Sequence, residues 1–510
     1  MEKEKFYITT PIYYPSAEFH IGHCYTTIIA DAIARYKRLK GYDVFFQTGT
    51  DEHGQKIEKK AQDKGVTPKE YIDPIIDNAK DLWKSLGITY DYFIRTTDED
   101  HKARVQEIFK KMYDKGDIYK GAYKGLYCTP CESFWTESQL DENGCCPDCH
   151  RDVHEVSEEA YFFKLSKYQK QLEEYYESHP DFIQPVSRKN EMLNNFIKPG
   201  LEDLCVSRTS FKWGVPVSFD DKHVVYVWVD ALSNYITSLG YPDENNEMFK
   251  KYWPADIHLV GKEIVRFHTI IWPAMLMSLE LPLPKQVFGH GWLIIDGGKI
   301  SKSLGNYKDP REYINTYGVD AVRYFTLREV PFGNDGNFSE EALITRTNAD
   351  LVNTLGNLVN RTIAMSKKYF DSVVENKKVN EEIDDTLISY AKILPSIVDN
   401  KINSLKINEA LEDIFELLKR SNKYIDETTP WVLAKDEDKT DRLKTVLYNL
   451  IESIRISTIL LRPFIPDTCE RIFNMLNTEL KEFNDLEFGK LEDGHVLNES
   501  EILFNRIEVK

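Results

Sequence analysis

Two hydrophobic rhythms divide this chain. As far as Gly291, short apolar runs alternate with stretches of helical period; beyond Pro331 the helical period stands almost alone. The first run, Phe6 to Thr9, predicts a strand ending at Pro11. After Pro15-Ser16-Ala17-Glu18, a turn, Ile28, Ile29, Ala32, Ile33 and Tyr36 recur at helical spacing. Asp43 to Gln47 predicts a second buried strand, and another helix starts near Gln55. Residues 68 to 116 read as helices punctuated by Pro68 and Gly116. Further on, Val224 to Ala231 reads as a buried strand entering the helix that carries Tyr235. Ile257 to Lys262 reads as a strand-to-helix junction and Gln286 to Gly289 as another strand. Such strand–helix repeats fold as a parallel, nucleotide-binding α/β sheet, with ligands at the carboxyl ends of its strands. Residues 155 to 222 mix short elements, so an insertion splits the sheet. Ile407, Ala410, Leu411, Ile414, Leu417 and Leu418 begin a helical bundle, with like stripes over 341–370, 384–400, 438–460 and 466–476.

Composition narrows the class. The 510 residues are 42% hydrophobic and 29% charged, as in a soluble protein of several domains. The N-terminus lacks the layout of a signal peptide, and no apolar run approaches the roughly 18 residues of a membrane span. A cytoplasmic location is expected. The net charge of −18 argues against indiscriminate nucleic-acid binding but leaves room for local basic patches. Five of the eight cysteines lie between Cys128 and Cys149. The pairs Cys128–Cys131 and Cys146–Cys149 are spaced for a zinc knuckle, and four thiolates leave no open position, so the ion is expected to be structural. Cys146 gives the symmetrical CxxC, so Cys145 and His150 are set aside.

Two segments carry candidate chemistry. His20-Ile21-Gly22-His23 stands at the first turn of the first helix, where unpaired backbone N–H groups and the helix dipole favour an anion. Asp296 to Asn306 contains Lys299, Ser301, Lys302 and Ser303 between glycines, which predicts a loop able to close on phosphate. Asp51 and Glu52, at the end of the second strand, read as helix caps when taken alone.

Together these segments resemble the HIGH and KMSKS signatures of the class I aminoacyl-tRNA synthetases, with Ile300 in place of Met in the second. Within that class, Thr48 to Gly54, the four-cysteine knuckle, Val229-Asp230-Ala231, Val260-Gly261-Lys262 and Asn422 to Lys435 resemble the methionine-specific branch. The resemblance runs from Phe6 through Trp431. It implies a Rossmann-type parallel sheet split by a zinc-knuckle insertion and followed by an all-α bundle. The expected division is a first catalytic half over 1–117, the insertion over 118–222 with its knuckle at 128–149, a second half over 223–327, a junction over 328–365 and an anticodon-binding domain over 366–510.

The resemblance also implies a reaction. Methionine is activated by ATP, with Mg²⁺, to methionyl-adenylate and then passed to the terminal ribose of tRNA(Met). His20, Gly22, His23, Lys299, Ser301, Lys302 and Ser303 would serve ATP, and His20, His23, Lys299 and Lys302 the transition state. Ile12, Tyr14, Trp228, Ala231, Leu232, Tyr235, Ile264, His268 and Trp272 would surround the methionine side chain, with Asp51 on its ammonium. Leu232 replaces a proline common among relatives. Asn357, Arg361 and Trp431 match the anticodon-reading positions, and Lys419, Arg420 and Lys423 offer phosphate contacts. The editing domain of the leucine, valine and isoleucine enzymes finds no counterpart in the short insertion. No appended tRNA-binding domain follows the bundle, so a monomer is expected.

Overall fold

A computed structural model describes residues 3–131, 133–135, 137–294 and 308–508. The chain forms two compact units. One comprises Met1–Ala30, Tyr42–Lys84 and Ile88–Trp292, the other Asp31–Gly41, Ser85–Gly87 and Leu293–Lys510.

The first unit is built on a six-stranded sheet. Its strands are β1 (Lys5–Tyr13), β2 (Asp43–Thr50), β3 (Tyr92–Arg95), β4 (Ile183–Gln184), β5 (Ile257–Gly261) and β6 (Val287–His290). They lie in the order β3-β2-β1-β5-β6-β4, and every neighbouring pair is parallel. β1 is buried along almost its whole length, as a central parallel strand must be. It does not end at Pro11 as expected. Pairing with β2 runs to Tyr13 across a register shift between Thr9 and Ile12, and Pro11, which has no N–H to give, sits inside that irregularity. Gly49 explains itself at the β2–β3 contact: a Cβ there would stand 2.1 Å from the Ile94 carbonyl oxygen.

Helices α1 (Ile21–Leu39), α2 (Gln55–Asp63), α3 (Pro68–Ser85) and α4 (Glu99–Asp114) connect the first strands. Residues 68 to 116 are therefore not all helix. β3 interrupts them, a four-residue strand too short to show a period. The expected strand over Val224–Ala231 is also corrected. Strand structure stops at Val225 and belongs to a separate antiparallel sheet with Ser207–Arg208 and Pro216–Val217. Helix α5 (Val227–Thr237) begins at once, with Val229 and Asp230 N–H groups on the Tyr226 carbonyl. It is buried on nearly every side, and a run apolar all round carries no period to separate helix from strand.

The insertion is an antiparallel hairpin, Ile118–Cys128 with His154–Phe163, flanked by Ser133–Trp135 and Leu204–Cys205. Its tip holds the cysteines.

The second unit is largely helical. Glu340–Arg346, Asn357–Phe370, Glu382–Asn403, Ile407–Thr428, Thr440–Leu461 and Pro466–Leu476 account for the stripes seen in the sequence, and the helix Val319–Glu329 precedes them. Thr440–Leu461 is the central helix, with every residue from Leu443 to Leu461 except Lys444 buried. Its buried charges are paired: Arg442 grips Asp384 at 2.6 and 2.7 Å, and Arg455 grips Glu452 at 2.6 and 2.9 Å. The acidic segment after Leu476 packs back: Leu491, Leu497 and Leu503 are buried, and His495–Val496 pairs with Val373–Val374. No described helix is long and apolar enough to cross a membrane.

Candidate active site

The carboxyl end of β1 delivers the chain to the start of α1, where two histidines cap the helix with their own rings. The Gly22 N–H donates to His20 Nδ1 at 3.1 Å, and the His20 N–H donates to His23 Nδ1 at 3.0 Å. The rings lie 4.0 Å apart, and His23 stacks on Phe19 at 4.7 Å. Burial pushes His20 down to about 4 and His23 well below the usual range. Both are then neutral near pH 7, and because each Nδ1 accepts, the proton sits on Nε2. This modifies the sequence expectation. The Gly22 N–H is taken by its own motif, and the donors on offer are two neutral Nε2–H groups.

A buried aromatic cluster packs against β1 and β5. The Tyr235 hydroxyl donates to His268 Nε2 at 2.7 Å, and His268 Nδ1–H is held by the Ile264 carbonyl at 2.9 Å. Trp228, half-buried, stacks face to face on Phe267 at 3.7 Å and meets His268 edge-on at 6.3 Å. Trp272 packs 6.0 Å from Tyr235. Trp228, Leu232, Tyr235, Ile264 and Trp272 share one apolar cluster, and Ala231 is buried beside them in α5. Tyr14 belongs to a different cluster, with Ile57, Ile72 and Ile76, and Ile12 is half-buried opposite Gly49. Two members escaped sequence reasoning. Phe267 is one, and His258 is the other: it lies 4.2 Å from Tyr235, with Thr9 Oγ1 2.8 Å from its Nδ1 and Trp272 Nε1 donating to its Nε2 at 3.4 Å. A histidine inside the apolar run Ile257–Val260 was the available signal.

Asp51 is half-buried at the end of β2, its N–H on the Tyr13 carbonyl at 3.0 Å, within electrostatic reach of Tyr235. Neither Asp51 nor Glu52 caps α2, whose N-cap is Gly54 without a side-chain bond. Glu52 is buried and accepts instead from Arg95 at 2.7 and 3.0 Å. Next to it, His53 Nδ1 lies 2.7 Å from Asp230, whose other oxygen is 2.8 Å from His101 Nε2. Burial alone would raise the Asp230 carboxyl, but the charge of His53 and the hydrogen bonds from both histidines outweigh it and hold it at about 2. A carboxylate on α5 thus ties the end of β2 to α4, a role the sequence did not suggest.

The ligand atoms of Cys128, Cys131, Cys146 and Cys149 all lie within 4.8 Å of one another, with Cys128 and Cys149 sulfurs 3.5 Å apart. Four thiolates about 2.3 Å from a zinc ion need sulfur separations of roughly 3.8 Å, so the set fits a tetrahedral site. Cys146 is fully buried in it. Cys145 turns away towards Asn143 and Asp152, and His150 pairs with Asp141 at 2.9 Å.

In the helical unit, Asn357 and Trp431 are exposed and Arg361 reaches Asp426 at 3.5 Å. Lys419, Arg420 and Lys423 are each paired with a glutamate of their own helix. Lys299, Ser301, Lys302 and Ser303 lie outside the described residues.

The sequence matches two family models: "tRNA synthetases class I (M)" over residues 6–158 and 153–363, and "Anticodon binding domain of methionyl tRNA ligase" over 374–510. It is 62% identical over its whole length to a methionine–tRNA ligase of Clostridium acetobutylicum, covering 79% of that protein. It is 63% identical to the one from Caldanaerobacter subterraneus, again over the whole chain and 80% of the relative. The structure of Mycobacterium tuberculosis methionyl-tRNA synthetase in complex with methionyl-adenylate superposes with a TM-score of 0.94 at 42% identity, over 99% of this chain and 100% of that one. Matches over both units, at this identity and with this geometry, leave a single reading: the chain belongs to the methionyl-tRNA synthetase family.

Proposed function

We propose that Trp228, Ala231, Leu232, Tyr235, Ile264, His268 and Trp272, together with Ile12 and Tyr14, hold the methionine side chain, and that Asp51 holds its ammonium. The observation that carries this is the apolar cluster closed by the Tyr235–His268 hydrogen bond. Flat rings and aliphatic walls suit a polarisable thioether. The reaction is that of the family: the methionine carboxylate attacks the α-phosphorus of ATP, the bond to pyrophosphate breaks, and methionyl-adenylate forms. The carboxylate is already ionised near neutral pH, so no general base is required. The work left to the protein is alignment and stabilisation of charge growing on the phosphates.

In this reading His20 and His23 supply neutral Nε2–H donors on one side. Lys299 and Lys302, with Gly22, Ser301 and Ser303 beside the nucleotide, serve ATP by the resemblance of their motifs. Mg²⁺ bound with ATP would neutralise phosphate charge. Cys128, Cys131, Cys146 and Cys149 would hold one structural zinc ion. In the second step the methionyl group passes to the terminal ribose of tRNA(Met) in the cytoplasm. Asn357 and Arg361 would hydrogen-bond anticodon bases and the exposed Trp431 would stack on one, within a binding domain spanning 366–510. The catalytic halves would be 1–117 and 223–327, about the insertion 118–222, with 328–365 as the junction.

The roles are tested by two substitutions. Asp51→Asn should raise the KM for methionine while leaving that for ATP near normal; an unchanged methionine KM removes Asp51 from the ammonium site. Trp431→Ala should lower tRNA charging while pyrophosphate exchange persists, and equal loss of both would point to misfolding instead.

A further inference from the structure

The cysteine knuckle and the aromatic pocket are joined by one side chain. Arg266 stands two residues before His268, on the segment that follows β5. Its guanidinium lies over three rings: Trp135 at 4.5 Å, Phe267 at 4.8 Å and Phe196 at 5.3 Å. Trp135 belongs to the knuckle, where it is buried in the same small cluster as Cys128 and Cys146. Phe267 is the ring on which Trp228 stacks at 3.7 Å, the two planes 7° apart. Burial pushes the Arg266 pKa down, and the Asp148 carboxylate opposes that shift. A chain of cation–π and ring contacts therefore runs from the knuckle through Trp135, Arg266 and Phe267 to Trp228.

We propose that Arg266 is a positioning residue that transmits the geometry of the knuckle to the methionine pocket. A guanidinium is planar, permanently charged and weakly hydrated, so it can fill a slot between two rings where a lysine ammonium cannot. With Trp135 at 4.5 Å and Phe267 at 4.8 Å, the guanidinium supports Phe267 and, through it, Trp228. Arg266 touches no substrate in this scheme. Its contribution is to support Phe267, the ring on which Trp228 stacks, in the arrangement that encloses the methionine side chain. A knuckle lodged far along the chain thereby acts on amino-acid affinity and not only on local folding. The proposal rests on the assignment of Trp228 to the methionine pocket, and the test separates the two.

The test is equilibrium dialysis of radiolabelled methionine against the full, zinc-loaded chain, with bound zinc and the KM for ATP measured in parallel. Arg266→Met should weaken methionine binding about tenfold and leave the zinc content and the ATP KM unchanged. Arg266→Lys, which keeps the charge and loses the plane, should fall between. Trp135→Leu should weaken binding as well, and the double variant with Arg266→Met should be no worse than the more affected single one. Normal methionine affinity in Arg266→Met overturns the proposal if Trp228→Ala is impaired; if Trp228→Ala is also normal, the pocket assignment itself fails. Should Arg266→Met lose zinc, Arg266→Lys decides, and unchanged affinity in that variant overturns the proposal.

Discussion

The Tyr235 hydroxyl donates to His268 Nε2 at 2.7 Å, and this single bond locks a tyrosine of α5 to the histidine that follows β5. Because His268 Nδ1–H is committed to the Ile264 carbonyl, Nε2 is an acceptor that needs a partner. Tyr235→Phe leaves it buried without one. The methionine KM should rise about five- to thirtyfold, measured by pyrophosphate exchange, with the KM for ATP unchanged. An equal rise in both would place the tyrosine outside the amino-acid pocket.

Acid should loosen the same site. Burial pushes His268 down to about 4 from an ordinary value near 6.5. Between those values the unfolded chain binds more protons than the folded one, so stability contributed by neutral His268 is complete above about pH 6.5 and is lost as pH falls towards 4. His20 acts in the same direction. Denaturation followed from pH 7 to 4.5 should show a steeper fall for the parent chain than for His268→Gln. Parallel curves would contradict a neutral, buried His268.

The capped histidines make a different forecast. His20→Ala removes one neutral donor and one cap from the first turn of α1. Exchange turnover should drop about 10²- to 10³-fold, as for loss of one preorganised donor, with methionine affinity near normal by dialysis. A loss confined to KM would assign His20 to ground-state binding alone.

Metal content distinguishes neighbouring cysteines. Cys146→Ser should lose bound zinc on atomic absorption, and residues 128 to 149 should become sensitive to protease. Cys145→Ser should retain one equivalent, since its sulfur faces Asp152 and not the cluster. Equal metal content in the two variants would contradict the ligand set.

Stability of the helical unit turns on a buried pair, Arg323 and Asp31, both fully inaccessible and 2.7 Å apart. Arg323 also donates to the carbonyls of Leu86, Pro463 and Phe464. Arg323→Met would strand these acceptors and take a cationic partner from Asp31, with Arg35 remaining 2.8 Å away. Breaking such a pair costs about 3–5 kcal/mol. Urea unfolding should show a shift of that order, and a shift under about 1 kcal/mol would mean the site relaxes around the loss.

The sequence was most legible where periods are long or spacing is chemical. The stripes of Ile407–Thr428 and Thr440–Leu461 and the paired CxxC turns could be read directly, because a helix face or a tetrahedron demands them. β3 was hidden because Tyr92–Arg95 is four residues long, and α5 because burial on every side erases its period. Pro11 misled because a register shift absorbs its missing donor. Asp230 was invisible for another reason. Its partners His53 and His101 stand 177 and 129 residues away, and only the fold brings them to one carboxylate. The same holds for Arg266 and Trp135, ordinary residues until the fold brings the guanidinium over the indole.

Amino-acid-dependent ATP–pyrophosphate exchange tests the central claim most directly. With purified chain, ATP and Mg²⁺, methionine alone among the standard amino acids should stimulate exchange strongly, and Lys302→Ala should abolish most of that stimulation. Exchange driven by another amino acid and not by methionine would contradict the assignment.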